Sequence, residues 1–223
     1  MRRLVIAFLI LVAFGFAAST ASAGPVLYEA AFNQNGTVYT GGSKPANWTL
    51  ALDGDGLGTI TAVVSAPGWH DLLVFLDYEI DEFVNTYYNE YGATSAALPG
   101  AGLTWEIDEP GFVFGDIYDN FLAGALDGTN AVPFALPDDV SFALHRRFFL
   151  DSGEVATVKF ATKTTPPASG FYLVQNDLKS PSSVYFSSDL DINGGGTTVP
   201  DAGSTLLLLG MGLAACSRLR RRG

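Results

Sequence analysis

Residues 72–80 read LLVFLDYEI. Five apolar residues in a row give way to alternation at Asp77, Tyr78, Glu79 and Ile80. The run is short for a helix and has the composition of a buried strand, so it predicts a strongly apolar strand ending in alternation. Outward from it, strand-like runs recur with turn signals between them. On the N-terminal side they are 26–32, 48–52 and 58–65, the last reading GTITAVVS, with an Asp53-Gly54-Asp55-Gly56 turn between the second and third. On the C-terminal side they are 103–107, 111–117, 140–150, 155–162, 171–174, 184–186 and 190–192. Within 155–162 (VATVKFAT), Val155, Thr157, Lys159 and Ala161 fall on one face. Residues 81–91 (DEFVNTYYNEY) read instead as one or two helical turns.

About ten short strands in one body, residues 24–193, predict an all-β domain in which each alternating strand buries one face between two sheets. That is a single β-sandwich of jelly-roll type. Abundant Gly and Pro, many aromatics and little Lys agree with an extracellular all-β composition. No internal repeat is visible. Residues 194–198 form a Gly/Thr linker.

The ends of the chain read differently. Residues 1–23 (MRRLVIAFLILVAFGFAASTASA) combine a positive start at Arg2 and Arg3 with an apolar stretch and an A-x-A site at Ala21 and Ala23. This is the pattern of a secretory signal peptide cleaved before Gly24. Residues 199–223 (VPDAGSTLLLLGMGLAACSRLRRRG) carry a polar motif, a short apolar run and a cluster at Arg218, Arg220, Arg221 and Arg222. The apolar run is shorter than the roughly 20 residues of an ordinary spanning helix. The positive-inside bias would hold the arginines on the cytoplasmic side and make the segment a membrane stop, an address and not part of the fold.

The three-part tail resembles the PEP-CTERM sorting signal in its VPDSG/VPxxGST variant. Val199, Pro200, Asp201, Gly203, Ser204 and Thr205 carry the likeness, and Asp201 stands where the commoner Pro-Glu-Pro form has Glu. The resemblance implies recognition by an exosortase, a membrane-embedded cysteine protease or transpeptidase, and removal near the Pro-containing motif. It further implies export by the Sec machinery of a Gram-negative bacterium and a transient hold in the inner membrane. Delivery to the cell surface, outer envelope or matrix of cells that make exopolysaccharide and biofilm would follow. Within the body, residues 104–120, 136–144, 169–177 and 184–190 also resemble segments of exported proteins with this tail; they imply no chemistry.

Charge narrows the function further. The chain has 12 Lys+Arg and 23 Asp+Glu, a net of −11. Six of the twelve basic residues and one acid, Asp201, lie in the terminal segments, so the body keeps six basic residues against 22 acids, a net of −16. Nucleic acid and anionic membrane surfaces need a basic footprint, so both are excluded as partners of the body. The one cysteine, Cys216, lies in the tail, and the body holds no disulfide.

No catalytic residue, resident metal or cofactor is expected. The strongest hydrolase pattern is Glu106 and Asp108, carboxylates at i and i+2 of a strand and so on one face. It resembles the E-x-D-x-E motif of retaining β-glucanases of the lectin-like sandwich, but Pro110 occupies the fifth position and the acid/base carboxylate is missing. The Asp53 turn fails as an EF-hand, because Leu57 and Val64 stand where an oxygen ligand and Glu are needed. A looser surface calcium site from Asp116 and Asp119, or Asp138 and Asp139, is compatible with the acidity. His70 and His145 have no partner at motif spacing, and no G-x-S-x-G elbow is present. His145, Arg146 and Arg147 form the body's one basic spot, expected on an exposed strand face. Trp48, Trp69 and Trp105 read as core, with a sugar-stacking platform as the alternative. The expectation is therefore a non-enzymatic exported protein, with a carbohydrate-binding module as the second reading.

Overall fold

The structure, a computed structural model, describes residues 24–81, 85–111 and 113–194. The strands in chain order are β1 Pro25–Gln34, β2 Thr37–Tyr39, β3 Trp48–Leu52, β4 Gly58–Val64, β5 Gly68–Ile80, β6 Glu90–Thr94, β7 Leu103–Asp108, β8 Ser141–Leu150, β9 Glu154–Lys163, β10 Tyr172–Asp177 and β11 Ser183–Gly194. Helix α1 Ile117–Ala123 lies between β7 and β8, and a 3-10 turn, Tyr87–Asn89, precedes β6. Two antiparallel sheets result: β2-β1-β5-β8-β7 and β3-β4-β9-β11-β10-β6.

The apolar run at 72–80 forms most of β5, the middle strand of the five-stranded sheet. Its even positions, Leu72, Val74, Leu76, Tyr78 and Ile80, face the other sheet and join Phe142, Leu144, Ile60, Phe160 and Phe186 in the main core. Its odd positions, Leu73 and Phe75, enter a second cluster with Ala31, Ala143 and the helix residues Ile117 and Phe121. A strand covered on both faces reads as a continuous apolar run, because neither set of side chains meets water. The sheets are joined by aromatic contacts. Phe142 of β8 stacks on Phe186 of β11 with ring centroids 5.1 Å apart, and Phe32 of β1 meets Trp48 of β3 at 5.3 Å. Full burial of each such ring contributes roughly 1.5–3 kcal/mol.

The sandwich expected from the strand pattern is present in this two-sheet arrangement, and the expected strands at 26–32, 48–52, 58–65, 103–107, 140–150, 155–162 and 171–174 all fall within or beside observed ones. Four expectations are corrected. In the segment 111–117 the described residues make no strand: 113–116 lead into α1, which begins at Ile117. Gly111 and Gly115 sit at φ 91° and 80°, outside the extended region. At Gly115 an added Cβ would lie 2.3 Å from the Glu109 carbonyl oxygen, so only glycine fits that bend. Residues 184–186 and 190–192 are one strand, β11, which pairs with β9 along ten positions. Among the described residues of the segment 81–91 the helical reading holds only for the short 3-10 turn; Glu90 already begins β6, which pairs with β10. β11 also runs through Gly194, the first residue assigned to the linker.

Candidate functional site

The outer face of the five-stranded sheet carries most of the molecule's chemistry-bearing side chains. Strand register arranges them in rows. Glu29 of β1, Asp77 of β5, Ser141 of β8 and Asp108 of β7 make one row. The next contains Ala31, Phe75, Ala143 and Glu106, and the third Asn33, Leu73, His145 and Thr104. Helix α1 covers the apolar middle. Asn33 Nδ2 donates to the Phe121 carbonyl at 3.0 Å, and Asn120 Nδ2 donates to Glu106 Oε1 at 3.0 Å, tying the helix to β1 and β7. Gly124 closes the helix at φ 69°. The two ends of the face stay uncovered by α1.

At one end lies a cavity of about 450 Å³. Asp77, Glu79, Glu109, Asp138 and Asp139 line it together with Tyr28, Tyr87, Tyr88 and Phe114. Asp77, Glu79 and Asp139 each bring a carboxylate oxygen within 4.8 Å of the other two. The first two share a face because they are two residues apart on β5. Asp139 arrives on the segment before β8, which is held by paired backbone hydrogen bonds between Asp138 and Glu90 at 3.0 and 3.1 Å. Asp77 is 2% exposed and its Oδ1 has no hydrogen-bond partner. Burial, then Asp139, Glu79 and Glu29, push its pKa up from the ordinary 3.8 to about 8.

A second acidic triplet, Glu106, Asp108 and Asp116, is as tight, with one oxygen from each within 4.8 Å of the others. The oxygens of Glu106 and Asp108 are engaged by the protein itself. Glu106 accepts from Asn120 and from the Asp127 backbone N–H at 3.1 Å. Asp108 accepts from the backbone N–H groups of Glu109 and Asp116, both at 2.8 Å. Burial raises Glu106 to about 7, against the lowering effect of its two donors. Glu106 and Asp108 share a face as the alternation implied, yet both are buried and each fastens the α1 region to β7.

The opposite end holds His145. Its Nε2 is 2.8 Å from Asp71 Oδ1 and its Nδ1 is 3.2 Å from Thr104 Oγ1, linking β5, β8 and β7. Burial lowers the His145 pKa, and the Asp71 carboxylate opposes that shift. The expected exposed basic spot of three is not there: His145 and Arg147 share one side of the strand, both beside Asp71, and Arg146 leaves them. His145 is buried. Arg146 turns to the opposite side of the strand, where Nε donates to Ser188 Oγ at 2.8 Å. Only Arg147 is exposed, its guanidinium 5.1 Å from the centre of the Trp69 ring. Alternation along β8 sends consecutive side chains to opposite faces, which is why a basic run in sequence is not a patch in space. Trp69 is 62% exposed and packs edge-on against Phe149 at 5.5 Å. Trp48 is core, and Trp105 is half-buried against Phe171.

The remaining sequence candidates have structural places. Asp53 Oδ1 accepts the backbone N–H groups of Asp55 and Leu57, so it shapes the β3–β4 turn. His70 is buried, with Nε2 2.7 Å from the Ala66 carbonyl. Asp116 belongs to the engaged triplet, whereas Asp139 belongs to the cavity. Asp77 and Glu79 escaped the sequence reading. Two acids at i and i+2 in an apolar strand were the available signal; their partner is 60 residues away from the nearer of them. Ala21, Ala23, Val199, Pro200, Asp201, Gly203, Ser204, Thr205, Arg218, Arg220, Arg221 and Arg222 lie outside the described residues, as does the expected C-terminal membrane helix. Gly24 is the first described residue. Among the described residues, no helix is long and apolar enough to cross a membrane.

An antiparallel two-sheet β body followed by a terminal address segment is the class these features define. Residues 198–222 match the model of the VPDSG-CTERM motif, a PEP-CTERM-type C-terminal sorting signal. Such a signal points to an exported chain that transits a membrane, with an exosortase as its partner. No curated protein and no solved structure matches the chain.

Proposed function

We propose that this is a non-enzymatic cell-surface or extracellular-matrix protein of a Gram-negative bacterium, exported by the Sec pathway and processed by an exosortase. The match of residues 198–222 to a sorting signal carries the reading. In it, residues 1–23 are removed ahead of Gly24, the jelly-roll-like body is the delivered cargo, and 194–198 tether it. Val199, Pro200, Asp201, Gly203, Ser204 and Thr205 are the recognised motif, and the four terminal arginines hold the precursor in the inner membrane. Association with exopolysaccharide in a biofilm is the destination. The engaged oxygens of Glu106 and Asp108 support a non-enzymatic body. A Pro200→Ala chain is expected to accumulate as unprocessed precursor in the inner-membrane fraction. Processing and release at the wild-type level would overturn the assignment of the motif.

A second reading, a carbohydrate-binding module, is favoured by the exposed Trp69–Phe149 pair beside Arg147. Aromatic faces left in water suit stacking on sugar rings. Soluble glycan should quench tryptophan fluorescence in the wild type and not in Trp69→Ala. Equal quenching in both would remove Trp69 from any such site.

A further inference from the structure

We infer that Asp77, Glu79 and Asp139 form a divalent-cation site, most suited to calcium, at the uncovered acidic end of the five-stranded sheet. The first support is the donor set. Three carboxylate oxygens from three residues lie within 4.8 Å of one another. Oxygens bound to one calcium ion at 2.3–2.6 Å can be separated by at most about 4.6–5.2 Å, so three oxygens this close are able to share one such ion.

The second support is independent of the clustering. Asp77 is 2% exposed, lines the cavity, and leaves Oδ1 without a hydrogen-bond partner. A buried carboxylate oxygen with no donor costs folding free energy unless something completes it. The other acidic triplet shows how this fold completes such groups when the role is structural: backbone N–H groups and an Asn side chain supply the donors. Asp77 has no such donor at Oδ1. Register adds to the imbalance by placing Glu29 directly across from Asp77. Like charges opposed across an antiparallel pair destabilise it. Among the described residues lining the cavity none is basic. A cation relieves both the incomplete oxygen and the opposed carboxylates.

The surroundings suit a hard cation exchanging with solvent. Asp138 and Glu109 stand on the cavity wall, where they can take ligand positions or hold bound water, and the volume of about 450 Å³ leaves room for the waters that fill a coordination sphere of six to eight. The Asp138–Glu90 backbone bridge fixes the approach of Asp139. Neither the Asp53 turn nor the Asp116 cluster has such an incomplete buried oxygen, which separates this site from those two; of the sequence candidates it takes in only Asp139, with Asp138 beside it.

The test is calcium titration of the full chain after chelator treatment, followed by calorimetry and thermal unfolding. Affinity in the 10⁻⁴–10⁻³ M range of extracellular modules is expected, with an upward shift in Tm. Asp77→Asn should abolish the calcium response while leaving the metal-free protein at least as stable as wild type, because the opposed charge and the incomplete carboxylate are gone. Asp139→Asn, on a loop segment outside the strand core, should weaken calcium binding roughly tenfold or more. Asp53→Asn and Asp116→Asn should leave it unchanged. A wild type with no calcium-dependent heat or Tm shift overturns the inference. So does a response that survives in both Asp77→Asn and Asp139→Asn, which would mark diffuse binding to an acidic surface. A response lost in Asp116→Asn alone would move the site to the other triplet and overturn it as well.

Discussion

Glu90 shows how a single buried acid makes this body sensitive to pH. Its Oε1 accepts the Ile80 backbone N–H at 2.8 Å and its Oε2 meets Gln175 Nε2. Burial outweighs these donors and raises the pKa from 4.5 to about 9. The folded state therefore holds the proton more tightly than the unfolded chain does. Stability from this group is complete below about pH 4.5 and is lost as pH rises toward 9. Between pH 5 and 9 the loss should be read as a falling denaturation midpoint. Glu90→Gln should remove part of that slope, Asp77 and Glu106 being raised by burial as well; an unchanged slope would assign the pH dependence wholly to other groups. Sequence alternation did show that Glu106 and Asp108 share a face. It was silent on their partners, Asn120 and Asp127, because those donors come from a helix and loop that only the folded chain brings near. The same holds for Asp77 and Asp139, joined by tertiary structure and not by spacing.

At the scale of elements, the strands with one buried face or two were the legible ones. The uninterrupted apolar run of β5 and the clean alternation of β9, whose Ala156, Val158 and Phe160 enter the core, need no tertiary information to be seen. Helix α1 was hidden because its apolar residues, Ile117 and Phe121, serve a seven-residue element too short to show a period. β11 was split because Ser187 to Asp189 interrupt its apolar pattern, although they pair with β9 as regularly as their neighbours. β8 and β11 supply the contact that joins the two sheets, so Phe142→Ala should be costly. Removing a fully buried ring at the Phe186 stack is expected to lower unfolding free energy by about 3–5 kcal/mol. Equilibrium denaturation measures it; a cost below about 1 kcal/mol would mean that the sheets are held chiefly elsewhere.

At the scale of the whole molecule, two kinds of information are written in one chain. The β body is specified by alternation and turns, and its −16 charge suits it to cations over nucleic acid. The destination is specified by residues 198–222, which are legible as a linear motif because a sorting enzyme reads sequence and not fold. The central claim is that the body is delivered by processing at that motif. Mass spectrometry of the terminal peptides, on protein recovered from the native cell surface and medium, tests it most directly. The account predicts a mature chain that begins at Gly24 and ends near Val199 to Asp201. Recovery of a chain that still extends through Arg222 would contradict it and make the tail a simple anchor.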